Sequence, residues 1–176
     1  MATEQAKTLQ ALRIAVKMEI DGKEYYLKTS QTASSKMGEK LLRSMSQAED
    51  AHRKKFIDIY EAIRDKKAWP RTALKPAAHK NLNTIFATAT RRIAAGTKPL
   101  GAELDAVKVA MKMENKTLDF YTKQAAKATG DTEKSFYKAI AAEEREHHMV
   151  LENYYEFLKD PAGYFIKTEH PSLDGG

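Results

Sequence analysis

Along most of this chain apolar positions recur with the 3.6-residue period of amphipathic helices, and clusters of Pro, Gly and Ser cut the pattern into segments. A first periodic stretch runs from about residue 8 to 33 and a second from about 36 to 67. Between them stands Ser34-Ser35, a turn and N-cap signal. The second stretch stops at Ala68-Trp69-Pro70. Residues 70–99 read differently, with Pro76, a shorter helical pattern around Asn81 to Ala95, and Gly96 to end it. A third long helix is expected from about Ala102 to Lys127, and then Thr129-Gly130-Asp131 supplies a C-cap and an N-cap. A fourth helix reaches about Leu158, just before Asp160-Pro161, and 161–176 reads as a tail.

The second and fourth helices carry apolar stripes spaced 3, 4, 3, 4, as expected for faces turned to the centre of a bundle. In the second helix the stripe is Leu42, Met45, Glu49, His52, Phe56, Ile59 and Ile63. In the fourth it is Tyr137, Ile140, Glu144, His147, Leu151, Tyr154 and Leu158. Both stripes break the apolar rule at the same two steps, with a Glu and then a His. Sliding the sequence against itself by 95 residues extends the coincidence: Glu19 meets Glu114 and Tyr26 meets Tyr121. Between 12–63 and 107–158, 11 of 52 positions are identical, where chance gives roughly 3. The chain is an internal duplication of a helical hairpin. Two such hairpins joined by a long crossover, 70–99, make an all-α, ferritin-like four-helix bundle over residues 1–160, with a short extra helix in the crossover.

Each hairpin separates its single Glu from its Glu-x-x-His by 30 residues, with the midpoint at the turn. Fifteen residues up and fifteen down at about 1.5 Å rise return both carboxylates to one height, some ~22 Å from the turn. Four Glu and two His therefore fall in one layer of the core. The i, i+3 spacing puts His52 and His147 on the faces of Glu49 and Glu144.

Composition limits what that layer can be. The chain has no cysteine, which excludes disulfides, thiolate catalysis and Cys-bound zinc, rubredoxin or iron–sulfur centres within it. Lys and Arg exceed Asp and Glu by 30 to 24, but the basic residues alternate with acids at helical spacing. A solvated helix surface is expected, with no nucleic-acid footprint. No apolar run approaches the roughly 20 residues that span a bilayer, and the first residues are not signal-like, so a soluble, cytoplasmic protein is expected. Four buried Glu side chains are costly as free anions, and no Lys or Arg stands at that level of the central stripes. Two divalent cations would balance them, with neutral imidazoles completing the coordination. Oxygen and imidazole ligands suit iron or manganese and admit zinc.

The set Glu19, Glu49-x-x-His52, Glu114 and Glu144-x-x-His147, with Tyr26 and Tyr121 each seven residues after the single Glu, resembles the rubrerythrin family of the ferritin-like superfamily. The resemblance covers roughly residues 8–160. The tail Asp160-Pro-Ala-Gly-Tyr-Phe-Ile-Lys-Thr-Glu-His-Pro is similar to that of rubredoxin-less members. It implies two iron ions, with Glu19 and Glu114 as terminal ligands, Glu49 and Glu144 as bridging ligands, and His52 and His147 on one metal each. Tyr26 and Tyr121 are then donors that orient the carboxylates. Two departures stand out: no rubredoxin centre for electron delivery, and Thr117 where rubrerythrins place a further Glu, with Gly22 as its counterpart in the first helix. A six-ligand site is expected.

The resemblance implies a non-haem di-iron oxidoreductase that reduces hydrogen peroxide or dioxygen with electrons from a separate rubredoxin-type protein, in protection against oxidative stress. It also implies a homodimer. The alternative is iron oxidation and storage of the ferritin type, and a third reading is a non-catalytic bundle.

Overall fold

The computed structural model of the chain describes residues 3–66, 69–70, 101–161 and 163–164. The short helix expected at 81–95, its Gly96 stop, His79, His170 and nearly all of the tail lie outside the described residues. Four helices occupy the rest: α1 Glu4–Ser30, α2 Lys36–Lys66, α3 Gly101–Lys127 and α4 Asp131–Lys159. They form a ferritin-like four-helix bundle built from two hairpins, α1 with α2 and α3 with α4, and α1 also packs on α3.

Helix ends follow local chemistry. α1 begins four residues before the periodicity suggests because Thr3 caps it, its hydroxyl accepting from the Ala6 N–H at 3.2 Å. It ends at Ser30, short of the expected Ala33. There Thr29, Ser30 and Thr32 each donate a hydroxyl to a backbone carbonyl three or four residues back, a competition that loosens the last turn. Ser35 caps α2 by accepting from the Gly38 N–H at 3.0 Å. α4 differs from expectation in one detail: Gly130 is its cap residue, without a side-chain bond, and Asp131 is already helical.

The first hairpin is held in register along its length. The Gln5 amide donates to the Ile63 carbonyl at 3.1 Å, the Arg13 guanidinium to the Tyr60 hydroxyl at 2.7 Å, and the Ser46 hydroxyl to the Lys23 carbonyl at 3.0 Å. Lys23 also pairs with Asp50 at 2.7 Å, and with Lys54 and Arg53 it holds that carboxyl well below the usual range. These ties fix which turn of α2 faces Glu19.

Every residue of the two stripes is buried. The apolar core is in two blocks. One gathers Met37, Leu41, Leu42, Met45, Val107 and Leu151 around Tyr26 and Tyr154. The other gathers Leu12, Phe56, Ile59, Phe136, Tyr137 and Ile140 around Tyr121. Between them lies the layer of Glu and His. No helix among the described residues is long and apolar enough to cross a membrane.

Candidate metal centre

Each helix delivers one part of the layer: Glu19 from α1, Glu49 and His52 from α2, Glu114 from α3, Glu144 and His147 from α4. Glu19, His52, Glu144 and His147 are wholly buried, and Glu49 and Glu114 are 3% exposed. His52 Nδ1 lies 3.0 Å from Glu144 Oε1 and 3.4 Å from Glu19 Oε2. His147 Nδ1 lies 3.1 Å from Glu49 Oε1, 3.6 Å from Glu114 Oε2 and 3.7 Å from Glu144 Oε2. The two imidazoles stack with centroids 5.6 Å apart.

These residues form two overlapping groups whose ligand atoms all lie within 4.8 Å of one another: Glu19, Glu49, His52 and Glu144, and Glu49, Glu114, Glu144 and His147. Glu49 and Glu144 belong to both. All six residues singled out from the sequence are thus brought together. Tyr26 and Tyr121 are also here, each crossing to the other hairpin: the Tyr26 hydroxyl donates to Glu114 Oε1, and the Tyr121 hydroxyl to Glu19 Oε1.

Compared with known families, residues 10–155 match the sequence model of the rubrerythrin family, described as rubrerythrin. The chain belongs to the rubrerythrin family. No curated protein and no solved structure gives a significant match. The family places the chain among the di-iron proteins of the ferritin-like superfamily, and its buried Glu/His group is able to hold metal.

The atoms left over fit that expectation of rubrerythrins. Glu19 Oε2, Glu49 Oε1, Glu114 Oε2, His52 Nδ1 and both oxygens of Glu144 are buried, and apart from the imidazole–carboxylate approaches above they have no hydrogen-bond partner among the described residues. An unsatisfied buried polar atom costs about 1–3 kcal/mol, and here all six face one space. Cations in that space would satisfy them together.

The electrostatics of the side chains point the same way. Burial, reinforced by the charges of Glu144, Glu19 and Glu114, pushes the Glu49 carboxyl well above the carboxylate range. Burial and Glu144 push Glu114 up to about 8. Burial would raise Glu144 too, but the imidazoles of His147 and His52 outweigh it and hold that carboxyl well below its usual value. Burial would lower both histidines, yet the carboxylates around them prevail: Glu143, Glu144 and Glu19 keep His52 protonated well above its ordinary range, and Glu114, Glu144 and Glu49 do so for His147. The layer thus favours positive charge among its carboxylates. Burial and the carboxylate charges raise Tyr26 and Tyr121 well above the phenol range, so both remain donors.

Sequence reasoning missed Glu143. It is 4% exposed, and its Oε2 lies 2.6 Å from His52 Nε2. With the Nε2–H donated there, His52 turns Nδ1 to the centre, the arrangement that orients a metal-binding imidazole. The only signal was its place beside Glu144; its counterpart in the first hairpin is Ala48. Glu103 was missed as well. It is buried about three turns from Glu114, accepting from the Tyr154 hydroxyl at 2.5 Å and the Ser34 N–H at 2.9 Å, and so ties α3 to the α1–α2 turn. Gly38 makes that contact feasible, since a Cβ there would lie 2.0 Å from the Tyr154 oxygen.

At the two positions where a further ligand was considered, neither side chain supplies one. A Cβ on Gly22 would lie 2.9 Å from Glu49 Oε2, so the missing side chain makes room for that carboxylate. Thr117 turns its hydroxyl back to the Met113 carbonyl at 2.9 Å.

Proposed function

We propose that this chain holds two iron ions and reduces hydrogen peroxide, or dioxygen, with electrons from a separate donor protein of the rubredoxin type, as protection against oxidative stress. The observation that carries the reading is the pair of four-residue groups sharing Glu49 and Glu144. Such sharing suits two metals bridged by two carboxylates, with Glu19 and His52 completing one and Glu114 and His147 the other. Manganese or zinc could take the same ligands.

Bound as a pair, the irons would supply two-electron redox chemistry. The chain's own part is binding and orientation. Four carboxylates balance two divalent charges, Glu143 aligns His52, and Tyr26 and Tyr121 hold the outer oxygens of Glu114 and Glu19. The apolar blocks on either side keep bulk water from the layer. The 176 residues carry no cysteine-bound redox centre, which is why the donor is placed outside them.

Iron storage is the competing reading, and one experiment separates the two. Metal-free protein is loaded with excess Fe(II) and oxidant, and the iron retained per chain is counted. Then peroxide turnover is measured with and without a rubredoxin and its reductase. Retention near two, with turnover only when the donor is present, supports the peroxidase. Retention far above two without a donor overturns it in favour of storage.

A further inference from the structure

The duplication pairs Tyr26 with Tyr121, and both make the same bond to a terminal Glu of the opposite hairpin. Their surroundings are not the same. Tyr26 sits among Leu42, Met45, Val107 and Leu151, and its one ring contact among the described residues is the edge of Tyr25. Tyr121 instead stacks on Phe56, centroids 5.2 Å apart, and on Tyr137 at 6.1 Å. Tyr137 in turn lies 5.6 Å from the ring of Trp69, just past the C-terminus of α2. The positions equivalent to Phe56, Phe136 and Tyr137 are Leu151, Leu41 and Leu42. Either set fills a core, yet among the described residues only one half has a continuous column of rings from the Glu/His layer to a residue at the margin of the bundle.

We propose that Tyr121, bridged by Tyr137 to Trp69, is a one-electron path by which an oxidising equivalent left at the metal site escapes to the surface of the bundle. The inference rests on the functional reading above, in which peroxide is the oxidant. In the first step the Tyr121 O–H bond breaks. Its electron reduces the oxidised site by one equivalent, its proton passes to Glu19, and a neutral tyrosyl radical remains. In the second step Trp69 gives one electron across Tyr137 to Tyr121, which takes its proton back from Glu19. The indole is left as a radical cation, and a soluble one-electron reductant such as ascorbate refills it. The net transfer is one electron from reductant to site.

The polar atoms along the column assign these roles. The Tyr121 hydroxyl has a proton acceptor in Glu19, so this ring can hold a neutral radical. The Tyr137 hydroxyl is buried with no hydrogen-bond partner among the described residues. With no proton acceptor for it among the described residues, Tyr137 is assigned to conduct between its neighbours without storing the radical. Trp69 Nε1 is likewise without a partner among the described residues, but an indole loses an electron without losing its proton. The half-buried Trp69 is therefore the terminus.

The test exploits the single tryptophan of the chain, to which any tryptophan radical must belong. A photo-oxidised ruthenium complex in solution oxidises Trp69 of the metal-free protein, and transient absorption follows the radical. The expected course is exchange of the tryptophan radical with a tyrosyl radical, the escape step run in reverse, and added ascorbate then drains both signals together. Tyr121→Phe loses that tyrosyl signal and prolongs the tryptophan radical, Tyr137→Leu has the same effect, and Tyr26→Phe leaves it unchanged. Circular dichroism checks that each variant folds. Wild-type behaviour in Tyr121→Phe, or an equal loss in Tyr26→Phe, overturns the path. Iron-loaded protein given peroxide without reductant supplies the second arm: peptide mass spectrometry should find oxidised Trp69 in the wild type and less in Tyr121→Phe, and equal oxidation in both overturns the path. Failure to consume peroxide while the flash-generated radical still moves to Tyr121 counts against the functional reading and supports the path.

Discussion

Removing the Glu143 carboxylate should weaken one metal site and spare the other. In the structure Glu143 Oε2 lies 2.6 Å from His52 Nε2, with side-chain exposures of 5% and 0%. In Glu143→Ala the buried imidazole loses its outer acceptor, which should cost the metal-free protein about 1–3 kcal/mol. It also loses the bond that aims Nδ1 at the centre. Loss of such an outer partner typically lowers metal affinity by about 10–100-fold, or about 1.4–2.7 kcal/mol. The effect should fall on the site that includes His52, because at the equivalent position of the other half stands Ala48. Titration of metal-free protein with Co(II), followed by calorimetry and absorption, should turn two similar binding steps into one tight and one weak. Glu143→Gln, whose amide oxygen still accepts, should recover part of the loss. Equal weakening of both steps, or no weakening, would refute the role given to Glu143.

Three further outcomes follow from the same geometry. Glu114, with its carboxyl pushed by burial and Glu144 from 4.5 to about 8, binds more protons folded than unfolded between those values, as do His52 and His147 above their ordinary range. The stability these groups confer is therefore present at low pH and lost as pH rises through that window. The melting temperature of the metal-free protein should fall from pH 4.5 to 8, and a rise would contradict the assignment; Glu144, shifted the other way, acts only at more acid pH. Metal affinity should rise over the same window as protons are displaced, measurable by competition with a chelator. Gly22→Ala places a Cβ 2.9 Å from Glu49 Oε2, so Glu49 must move; spectra of Co(II)-loaded protein should change at both metals, while unchanged spectra would show that the carboxylate gives way freely. Glu49→Ala should disturb both binding steps and His52→Ala chiefly one, and equal single-metal loss in the two variants would contradict sharing of Glu49.

Much of the bundle and most of its centre were legible in the sequence, because a helix is a local object. A 3.6-residue period decides which side chains share a face, and a fixed rise per residue decides their height. Those two facts, with the 95-residue repeat, were enough to place Glu19, Glu49, His52, Glu114, Glu144 and His147 in one layer. They also identified both stripes as buried. Hydroxyl competition at Thr29, Ser30 and Thr32 was local too, though hidden beneath a periodicity that runs on to Ala33.

The rest depended on how the helices rotate and slide against one another, which spacing along one helix does not encode. Glu143 sits one step off the α4 stripe, and only the approach of α4 to α2 makes it a partner of His52 rather than a surface residue. The crossing of Tyr26 to Glu114 and of Tyr121 to Glu19 required both hairpins in place. So did the division of the core, where Phe56 and Tyr137 stack on one tyrosine and leucines lie near the other. The sequence alone determined which chemical groups share the layer. Only the tertiary structure decided which atoms within it face each other, because those contacts lie between residues as many as 102 positions apart in the chain.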